Sequence, residues 1–292
     1  MSMLEKALEK SQKIENTVKK DNKKNADKNS ILQHESSIDL KKEELLSIKS
    51  SKPVVTFNWG ALAENGFIQL NDAHNKIAEE YRSIKRPLVV NALGSRKRDI
   101  DNANLILVTS SIPGEGKTFT SINLAFSIAA EMDKKVLLID ADVAKPSVSK
   151  VLGIKSEKGL IDFLETDSLQ LSDIILETEV PGLRIIPAGK SHKLSTELLA
   201  SDKMVELSKE LSERYPDRII IFDSPPLLAT TQAEVLASHM GQVVLVIGAE
   251  TTPQNFVMQS VAKLQNCSDV VLALLNKAQR KLDGDYYGYG HY

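Results

Sequence analysis

Short apolar runs, each bounded by polar residues, recur along the chain from Leu105 onward. Between them, apolar residues at helix spacing predict the helices Thr118–Met132, Thr196–Tyr215 and Pro253–Gln265. Strands that are apolar throughout are covered on both faces, and their alternation with helices predicts right-handed crossovers. We therefore expect an α/β fold, doubly wound around a mostly parallel sheet. The runs expected to be strands are Leu105–Thr109, Val136–Ile139, Leu183–Ile186, Ile219–Phe222, Val243–Ile247 and Val270–Leu275.

Both ends of the chain depart from this pattern. Residues 1–52 are rich in Lys, Glu, Asp, Asn and Ser, and we expect them to be disordered or partly helical. Residues 71–93 have apolar positions at helix spacing, and Pro87 is expected to kink or end that helix. The predicted catalytic domain spans 53–277, and a polar tail, 278–292, follows it.

Composition narrows the function classes. The chain has 292 residues, of which 42% are hydrophobic, enough for one sizeable core. A formal net charge of −2 argues against broad nucleic-acid binding, which needs a basic surface. Cys267 is the only cysteine, which suits a reducing cytosol and excludes an internal disulfide. No apolar run approaches the ~18 residues that cross a bilayer, so we expect a soluble, cytoplasmic protein.

The segment after the first predicted strand reads S-I-P-G-E-G-K-T and directly precedes a predicted helix. That is the context of a P-loop (Walker A motif), whose backbone N–H groups hold nucleotide phosphates. Lys117 supplies positive charge to the phosphate oxygens, and the Thr118 hydroxyl is a Mg²⁺ ligand. Ser111 stands where the standard pattern has glycine. The predicted nucleotide-binding residues of this loop are Ser111, Ile112, Pro113, Gly114, Glu115, Gly116, Lys117, Thr118 and Phe119.

Aspartates follow two predicted strands, at the edge where doubly wound sheets bind ligands. Asp223 lies in I-I-I-F-D-S-P-P, a Walker B arrangement that holds Mg²⁺ through water. Asp140 and Asp142 lie in D-A-D-V-A-K-P, and residues two apart in extended chain project to the same side. Aspartate is also a common turn former, an alternative that weighs more on this pair than on Asp223. The predicted metal ligands are Thr118, Asp142 and Asp223.

The end of the last predicted strand bears on the choice of base. Leu275-Asn276-Lys277 invites comparison with the N-K-x-D guanine reader of GTPases, but the fourth position is Gln279. Without a carboxylate there, the N1 and N2 donors of guanine have no partner. ATP is therefore the favoured nucleotide.

Tyrosines are concentrated in the tail. The whole chain has six, and four of them lie in the last seven residues. Aromatic residues on a glycine-spaced tail suit phosphoacceptors, an aromatic docking motif or aggregation-prone contacts. An ATP site in the same chain favours the first of these. The predicted phosphoacceptors are Tyr286, Tyr287, Tyr289 and Tyr292.

Phosphoryl transfer to a tyrosine needs a base, because a phenol has a pKa of about 10. Asp140 is the candidate base, and Asp142 is the candidate for the water shell of the metal. These two roles are exchangeable on sequence grounds. With Lys117, they are the predicted catalytic residues.

These motifs, in this order, resemble the bacterial tyrosine kinases of polysaccharide synthesis and export over roughly residues 71–292. The segments E-Y-R-S-I-K-R-P-L and D-A-D-V-A-K-P-S look most similar to the autokinases of exosortase-linked exopolysaccharide clusters. The resemblance implies ATP- and Mg²⁺-dependent autophosphorylation of the tail between subunits. In the family the second motif is D-x-D-x-R, with its first Asp as proposed base, but here Ala144 replaces the Arg and Lys145 follows. The resemblance also implies that Asn276 lies near the adenine. An equal alternative is that Asn276 is simply a polar residue at the end of a strand.

The resemblance implies partners as well. The family carries an E-x-x-R-x-x-R helix that joins subunits in a ring, matched here by Glu79, Arg82 and Lys85. On a helix these three lie within an arc of about 120°, and a solvated charged face is the alternative. Family members depend on a membrane chain-length or co-polymerase protein, so we expect a separate membrane partner at the inner face of the plasma membrane. A tyrosine phosphatase is also implied, and nucleic acid is not.

Two other function classes stay open on the sequence. A non-kinase ATPase switch that positions a membrane or DNA complex would have the same fold. Such ATPases usually carry an extra lysine early in the P-loop, and Ser111-Ile112-Pro113 contains none. The third class is a catalytically quiet scaffold with an adhesive tail. Only a kinase would produce phosphorylated tail tyrosines.

Overall fold

The computed structural model describes residues 53–69, 76–156 and 158–278. All of them belong to a compact unit that begins at Pro53. The predicted N-terminal extension, the start of the 71–93 helix and the four tail tyrosines lie outside the described residues.

The described residues form a sheet of seven strands. The strand order is β3-β4-β2-β5-β1-β6-β7, and neighbouring strands are parallel except for β3 and β4. The mostly parallel, doubly wound α/β fold is thus confirmed. Strand β3 was not predicted, because a strand of two residues is too short to show a pattern. The strands are β1 (Leu105–Ser110), β2 (Lys135–Asp140), β3 (Leu176–Glu177), β4 (Leu183–Ile186), β5 (Arg218–Asp223), β6 (Gln242–Gly248) and β7 (Val271–Asn276).

Alternate residues of the central strands point to opposite faces of the sheet. In β1, Leu105 and Leu107 join one hydrophobic cluster, whereas Ile106 and Val108 join the other. Every residue of β1 is buried as a result. This double burial explains why the strand is apolar throughout.

Helices cover both faces of the sheet. Helices α1 to α4 contribute to the cluster that contains Ile106, and α5 to α10 contribute to the cluster that contains Leu105. Among the described helices, none has the length and apolar character to cross a membrane. The helices are α1 (Trp59–Glu64), α2 (Lys76–Leu93), α3 (Lys117–Ala129), α4 (Val148–Leu152), α5 (Leu160–Glu165), α6 (Leu171–Ile174), α7 (Ser195–Leu199), α8 (Asp202–Arg214), α9 (Gln232–Ala237) and α10 (Gln254–Gln265).

The helix predicted over Thr196–Tyr215 is in fact two helices, α7 and α8, which are separated at Ala200 and Ser201. Ser201 has extended backbone, and its hydroxyl accepts a hydrogen bond from the backbone N–H of Met204 at 3.4 Å. A serine in this position caps a new helix. Apolar spacing alone does not distinguish such a cap from a serine inside one long helix.

Pro87 does not end α2, which continues to Leu93. Proline removes one helical hydrogen bond and crowds the preceding turn, so the turns beyond it need other support. Leu88 is buried, and the side-chain amide of Asn91 donates to Gln242 Oε1 at 2.9 Å. This packing against the sheet stabilises the last turns of the helix.

Candidate active site

The predicted P-loop joins β1 to α3 at the carboxyl edge of the sheet. Gly114 and Gly116 have φ values of +88° and +101°, in the left-handed region that favours glycine. A Cβ atom at Gly114 would meet nothing within 4 Å, so open space lies beside the loop there. Helix α3 begins at Lys117, and the free N–H groups of a first helical turn are suited to binding an anion.

Thr118 and Asp223, two of the predicted metal ligands, are in direct contact. The Thr118 hydroxyl donates to Asp223 Oδ2 at 2.7 Å, and the Ser121 hydroxyl donates to Oδ1 at 3.0 Å. Burial raises the pKa of Asp223 to about 6, against the opposing effects of the Thr118 hydrogen bond and the Lys117 charge. Ser121 was not predicted as a site residue. The sequence does contain an indication of its role: Ser121 follows Thr118 by three residues, and this spacing places both hydroxyls on one face of α3.

The sheet places Asp140 beside Asp223, because they are register partners at the ends of neighbouring strands β2 and β5. Asp140 Oδ2 accepts hydrogen bonds from the backbone N–H groups of Ser147 and Val148, both at 3.1 Å. The other oxygen, Oδ1, is buried and has no hydrogen-bond partner in the described part of the chain. Burial, and then the negative charge of Asp223, raise the pKa of Asp140 to about 8.

Asp142 belongs to the same electrostatic cluster. It is buried, and its Oδ1 accepts a hydrogen bond from the backbone N–H of Lys145 at 3.1 Å. Burial raises the pKa of Asp142, while the positive charge of Lys117 opposes that rise. Its negative charge adds to the rise in the pKa of both Asp140 and Asp223. The structure therefore brings together the predicted lysine and all three predicted aspartates.

This cluster has the groups that phosphoryl transfer uses. Lys117 offers a cation for phosphate oxygens, and hydroxyl and carboxylate oxygens suit Mg²⁺. Within the described residues, no group of three or more His, Cys, Asp or Glu could hold a metal ion by itself. A magnesium ion would therefore rely on Thr118 and Asp223 together with water and nucleotide phosphates. The open space at Gly114 and the unpaired Oδ1 of Asp140 fit such a complex.

Asn276 lies against the P-loop from the end of β7. Its side-chain amide donates to the carbonyl oxygen of Glu115 at 2.8 Å. The next residue, Lys277, donates from its ammonium to the carbonyl oxygen of Gly114 at 2.6 Å. Both side chains thus contact the nucleotide loop itself, and the adenine contact of Asn276 stays a prediction.

Other predicted loop residues are engaged within the protein. The Ile112 N–H donates to Glu115 Oε2 at 2.7 Å, which takes it away from any ligand. The Phe119 ring packs on Phe67 with ring centroids 5.0 Å apart. Pro113 is exposed at the tip of the loop.

The three residues predicted to join subunits do not share one environment. Glu79 and Arg82 are exposed and form an ion pair. Lys85 is buried: its ammonium donates to the carbonyl oxygen of Ser127 and pairs with Glu131 Oε1 at 2.8 Å. Ser127 lies in the last turn of α3, where a positive charge also interacts favourably with the helix dipole. The structure gives Lys85 an intramolecular contact, and the interface stays a prediction.

Comparison with known proteins places the chain in a family. The AAA domain family matches residues 103–280. The tyrosine-protein kinase YwqD of Bacillus subtilis is 28% identical over 232 residues, which are 80% of this chain and 94% of that protein. The putative tyrosine-protein kinase CapB of Staphylococcus aureus is 30% identical over 214 residues, 73% of this chain and 90% of that protein. The tyrosine-protein kinase wzc of Salmonella typhimurium is 32% identical over 190 residues, 65% of this chain. The chain spans only 26% of the length of that longer relative.

Solved structures are similar as well. The kinase domain of Escherichia coli tyrosine kinase ETK has a TM-score of 0.63 and 27% identity, covering 77% of this chain and 86% of that one. The septum site-determining protein MinD of Pyrococcus horikoshii, solved with Mg-ADP, has a TM-score of 0.50 and 27% identity, covering 59% and 69%. Both likenesses support the predicted doubly wound α/β fold with a P-loop.

Proposed function

Because the chain belongs to the family of bacterial tyrosine-protein kinases, we propose that it is an ATP- and Mg²⁺-dependent kinase that phosphorylates its C-terminal tyrosine cluster. The observation that carries the proposal is the group of buried charges at the carboxyl edge of the sheet. Lys117, within the P-loop, acts electrostatically on Asp142 and Asp223, and Asp140 lies beside Asp223. Such a group suits the stabilisation and proton transfer that a phosphoryl transfer requires.

Each residue has a role in this proposal. Lys117 binds phosphate oxygens, Thr118 and Asp223 hold the metal ion, and Asp142 orders its water shell. ATP would supply the phosphoryl group, and a Mg²⁺ ion held by Thr118 and Asp223 would offset the negative charge of its oxygens. As the tyrosine oxygen bonds to phosphorus and the bond to ADP breaks, Asp140 in its ionised form accepts the phenolic proton. Its Oδ1 is the oxygen available, since Oδ2 already accepts two backbone N–H groups.

We extend the proposal to the setting of the enzyme. Sequence resemblance supports a role in regulating exopolysaccharide production at the inner face of the membrane, through a chain-length or co-polymerase partner. Each phosphotyrosine adds about −1.5 to −2 charges, so a fully modified tail gains roughly −6 to −8. The negative charge of the phosphorylated tail would be repelled by the nucleotide in a neighbouring subunit. This repulsion would loosen an assembly held together by docked tails. A tyrosine phosphatase would remove the phosphates and restore the assembly.

The tail tyrosines are tested by replacing all four with phenylalanine. We expect more than a tenfold loss of phosphotyrosine and ATP hydrolysis within about twofold of wild type, because the catalytic cluster is untouched. The two other tyrosines of the chain serve as internal controls in mass spectrometry. Tyr81 is buried, which raises its pKa to about 12, and Tyr215 packs against the core. Undiminished phosphotyrosine in the tail variant would refute the proposal.

Transfer between subunits is tested by mixing two defective proteins. The variant without tail tyrosines keeps its catalytic cluster, and Lys117→Met keeps its tail. If one subunit phosphorylates the tail of another, the mixture labels the Lys117→Met chain although neither protein labels itself. Absence of label in the mixture would show transfer within one chain.

The subunit interface is tested with the matched pair Arg82→Met and Lys85→Met. We expect Lys85→Met to lower the free energy of unfolding by about 1–3 kcal/mol, because Glu131 and the Ser127 carbonyl lose a buried partner. Arg82→Met should change it by less than about 0.5 kcal/mol, since exposed ion pairs contribute little. If Arg82 joins subunits, light scattering will nevertheless show smaller assemblies for Arg82→Met. Assemblies of unchanged size would exclude Arg82 from an interface.

A further inference from the structure

Glu115 is a buried carboxylate within the P-loop, only 3% exposed. A negative side chain close to phosphates is unfavourable by Coulomb's law, so its presence there needs a reason. Both of its oxygens have partners inside the protein. Oε2 accepts from the Ile112 N–H at 2.7 Å, and Oε1 accepts from the Gly248 N–H at 3.2 Å and from the Thr252 hydroxyl. The carboxylate is therefore directed to these donors.

These contacts join two separate segments. Ile112 belongs to the P-loop, Gly248 is the last residue of β6, and Thr252 precedes α10. The Thr252 hydroxyl oxygen also accepts from the Gly248 N–H at 3.1 Å, so the turn after β6 is closed around the carboxylate. A Cβ atom at Gly248 would lie 2.4 Å from the Thr251 hydroxyl, so a larger residue there would have to displace that side chain. We call Ile112, Glu115, Gly248 and Thr252 the Glu115 cluster.

Two further hydrogen bonds attach the P-loop to the same side of the fold. Asn276 donates to the carbonyl oxygen of Glu115, and Ser260 of α10 donates to the hydroxyl oxygen of Ser111 at 2.9 Å. Ser111 is fully buried at the start of the loop. The loop is thus attached to β6, α10 and β7 at several points, none of which requires a bound nucleotide.

We propose that Glu115 is a positioning residue, which together with Thr252 holds the P-loop in its nucleotide-binding conformation before a nucleoside di- or triphosphate arrives. Ordering one residue costs roughly 1–2 kcal/mol of conformational entropy. A loop that is already ordered avoids that cost on binding, so the side chains of Glu115 and Thr252 strengthen nucleotide binding without contacting the nucleotide. This inference concerns nucleotide affinity and holds whether or not the tail tyrosines are the acceptors.

Thr252 offers the cleanest test, because it lacks charge and is not in the P-loop. Thr252→Val removes the hydroxyl, Thr252→Ser keeps it, and Thr251→Val alters an exposed neighbour that is not among the hydrogen-bond partners of the Glu115 carboxylate in the described residues. We expect about tenfold weaker binding of Mg-ADP by Thr252→Val in calorimetry, and changes within about twofold for the other two variants. At saturating ATP, the rate of hydrolysis by Thr252→Val should stay within about twofold of wild type.

A double-variant cycle tests whether Thr252 acts through Glu115. If it does, Glu115→Ala with Thr252→Val should bind Mg-ADP within about twofold of Glu115→Ala alone. Binding is measured where circular dichroism shows each protein folded, with Thr252→Ala as the substitute if the valine variant does not fold. Unchanged Mg-ADP affinity in the Thr252 variant would overturn the proposal. The proposal would also be overturned if the two substitutions weakened Mg-ADP binding independently, so that their fold-losses multiplied in the double variant. A lower rate of ATP hydrolysis at saturating ATP, with intact Mg-ADP affinity, would overturn it too.

Discussion

Lys117→Met is expected to lower tail phosphorylation by about 10²–10³-fold, the usual effect of removing one preorganised group that stabilises charge in the transition state. Lys117 is 9% exposed and lies at the first position of α3. Its charge also opposes the rise in the pKa of Asp142 and Asp223. The substitution therefore removes a phosphate partner and makes both carboxylates harder to ionise. Anti-phosphotyrosine blots after incubation with ATP and Mg²⁺ measure the effect.

Lys135→Met is the matched control for this variant. Lys135 begins β2 at the opposite edge of the sheet, and its exposed ammonium pairs with Asp217 at 2.7 Å. We expect phosphorylation within about twofold of wild type, because exposed pairs contribute little. Mg-ATP should raise the melting temperature of wild type and Lys135→Met but much less that of Lys117→Met. Full labelling of Lys117→Met would show that the chemistry occurs elsewhere.

Asp140→Asn is expected to give a protein that is inactive and yet more stable than wild type at alkaline pH. If Asp140 is the base, its loss should lower phosphorylation by about 10²–10⁴-fold, the usual contribution of a positioned base. The variant should nevertheless be more stable by about 2 kcal/mol or more at pH 8, because it removes a buried carboxylate that resists ionisation. A gain in stability would exclude unfolding as the cause of inactivity.

The expected gain in stability of Asp140→Asn follows from the pKa of Asp140, which rises from 3.8 to about 8 on folding. Between these values the folded protein holds a proton that the unfolded chain releases, so the stabilisation present below about pH 4 is lost as pH rises through 8. Asparagine does not ionise and resembles the protonated acid. The two proteins should therefore converge in stability toward pH 4 and differ most above pH 8. Asp223, with its pKa of about 6, contributes a pH dependence to both.

Urea unfolding at several pH values in EDTA measures this difference. Asp217→Asn is the control, because Asp217 is exposed and the hydrogen bond from Lys135 lowers its pKa. Asp217→Asn should be slightly less stable than wild type at pH 8. The ionised Asp217 carboxylate stabilises the wild type, and this contribution is lost as pH falls. An Asp140→Asn protein that is less stable than wild type at pH 8, or that keeps more than a tenth of the activity, would contradict the assignment.

Local patterns were sufficient for six of the seven described strands and for the P-loop. A strand such as β1, covered on both faces, needs an apolar residue at every position, and that need is visible in the sequence. The P-loop is contiguous, so its glycines, Lys117 and Thr118 could be assigned together. The break between α7 and α8 at Ser201 and the continuation of α2 beyond Pro87 could not, because caps and packing decide them.

The sequence by itself determined the fold class, the nucleotide loop and the acidic strand ends, because each is encoded within a few neighbouring residues. Only the tertiary structure decided which distant residues meet. The register of β2 and β5 sets Asp140 beside Asp223, and the positions of β1 and β6 allow Glu115 to reach Thr252. The docking of α2 on α3 directs Lys85 inward, away from Arg82. Such contacts depend on strand order and helix packing, which no local period specifies.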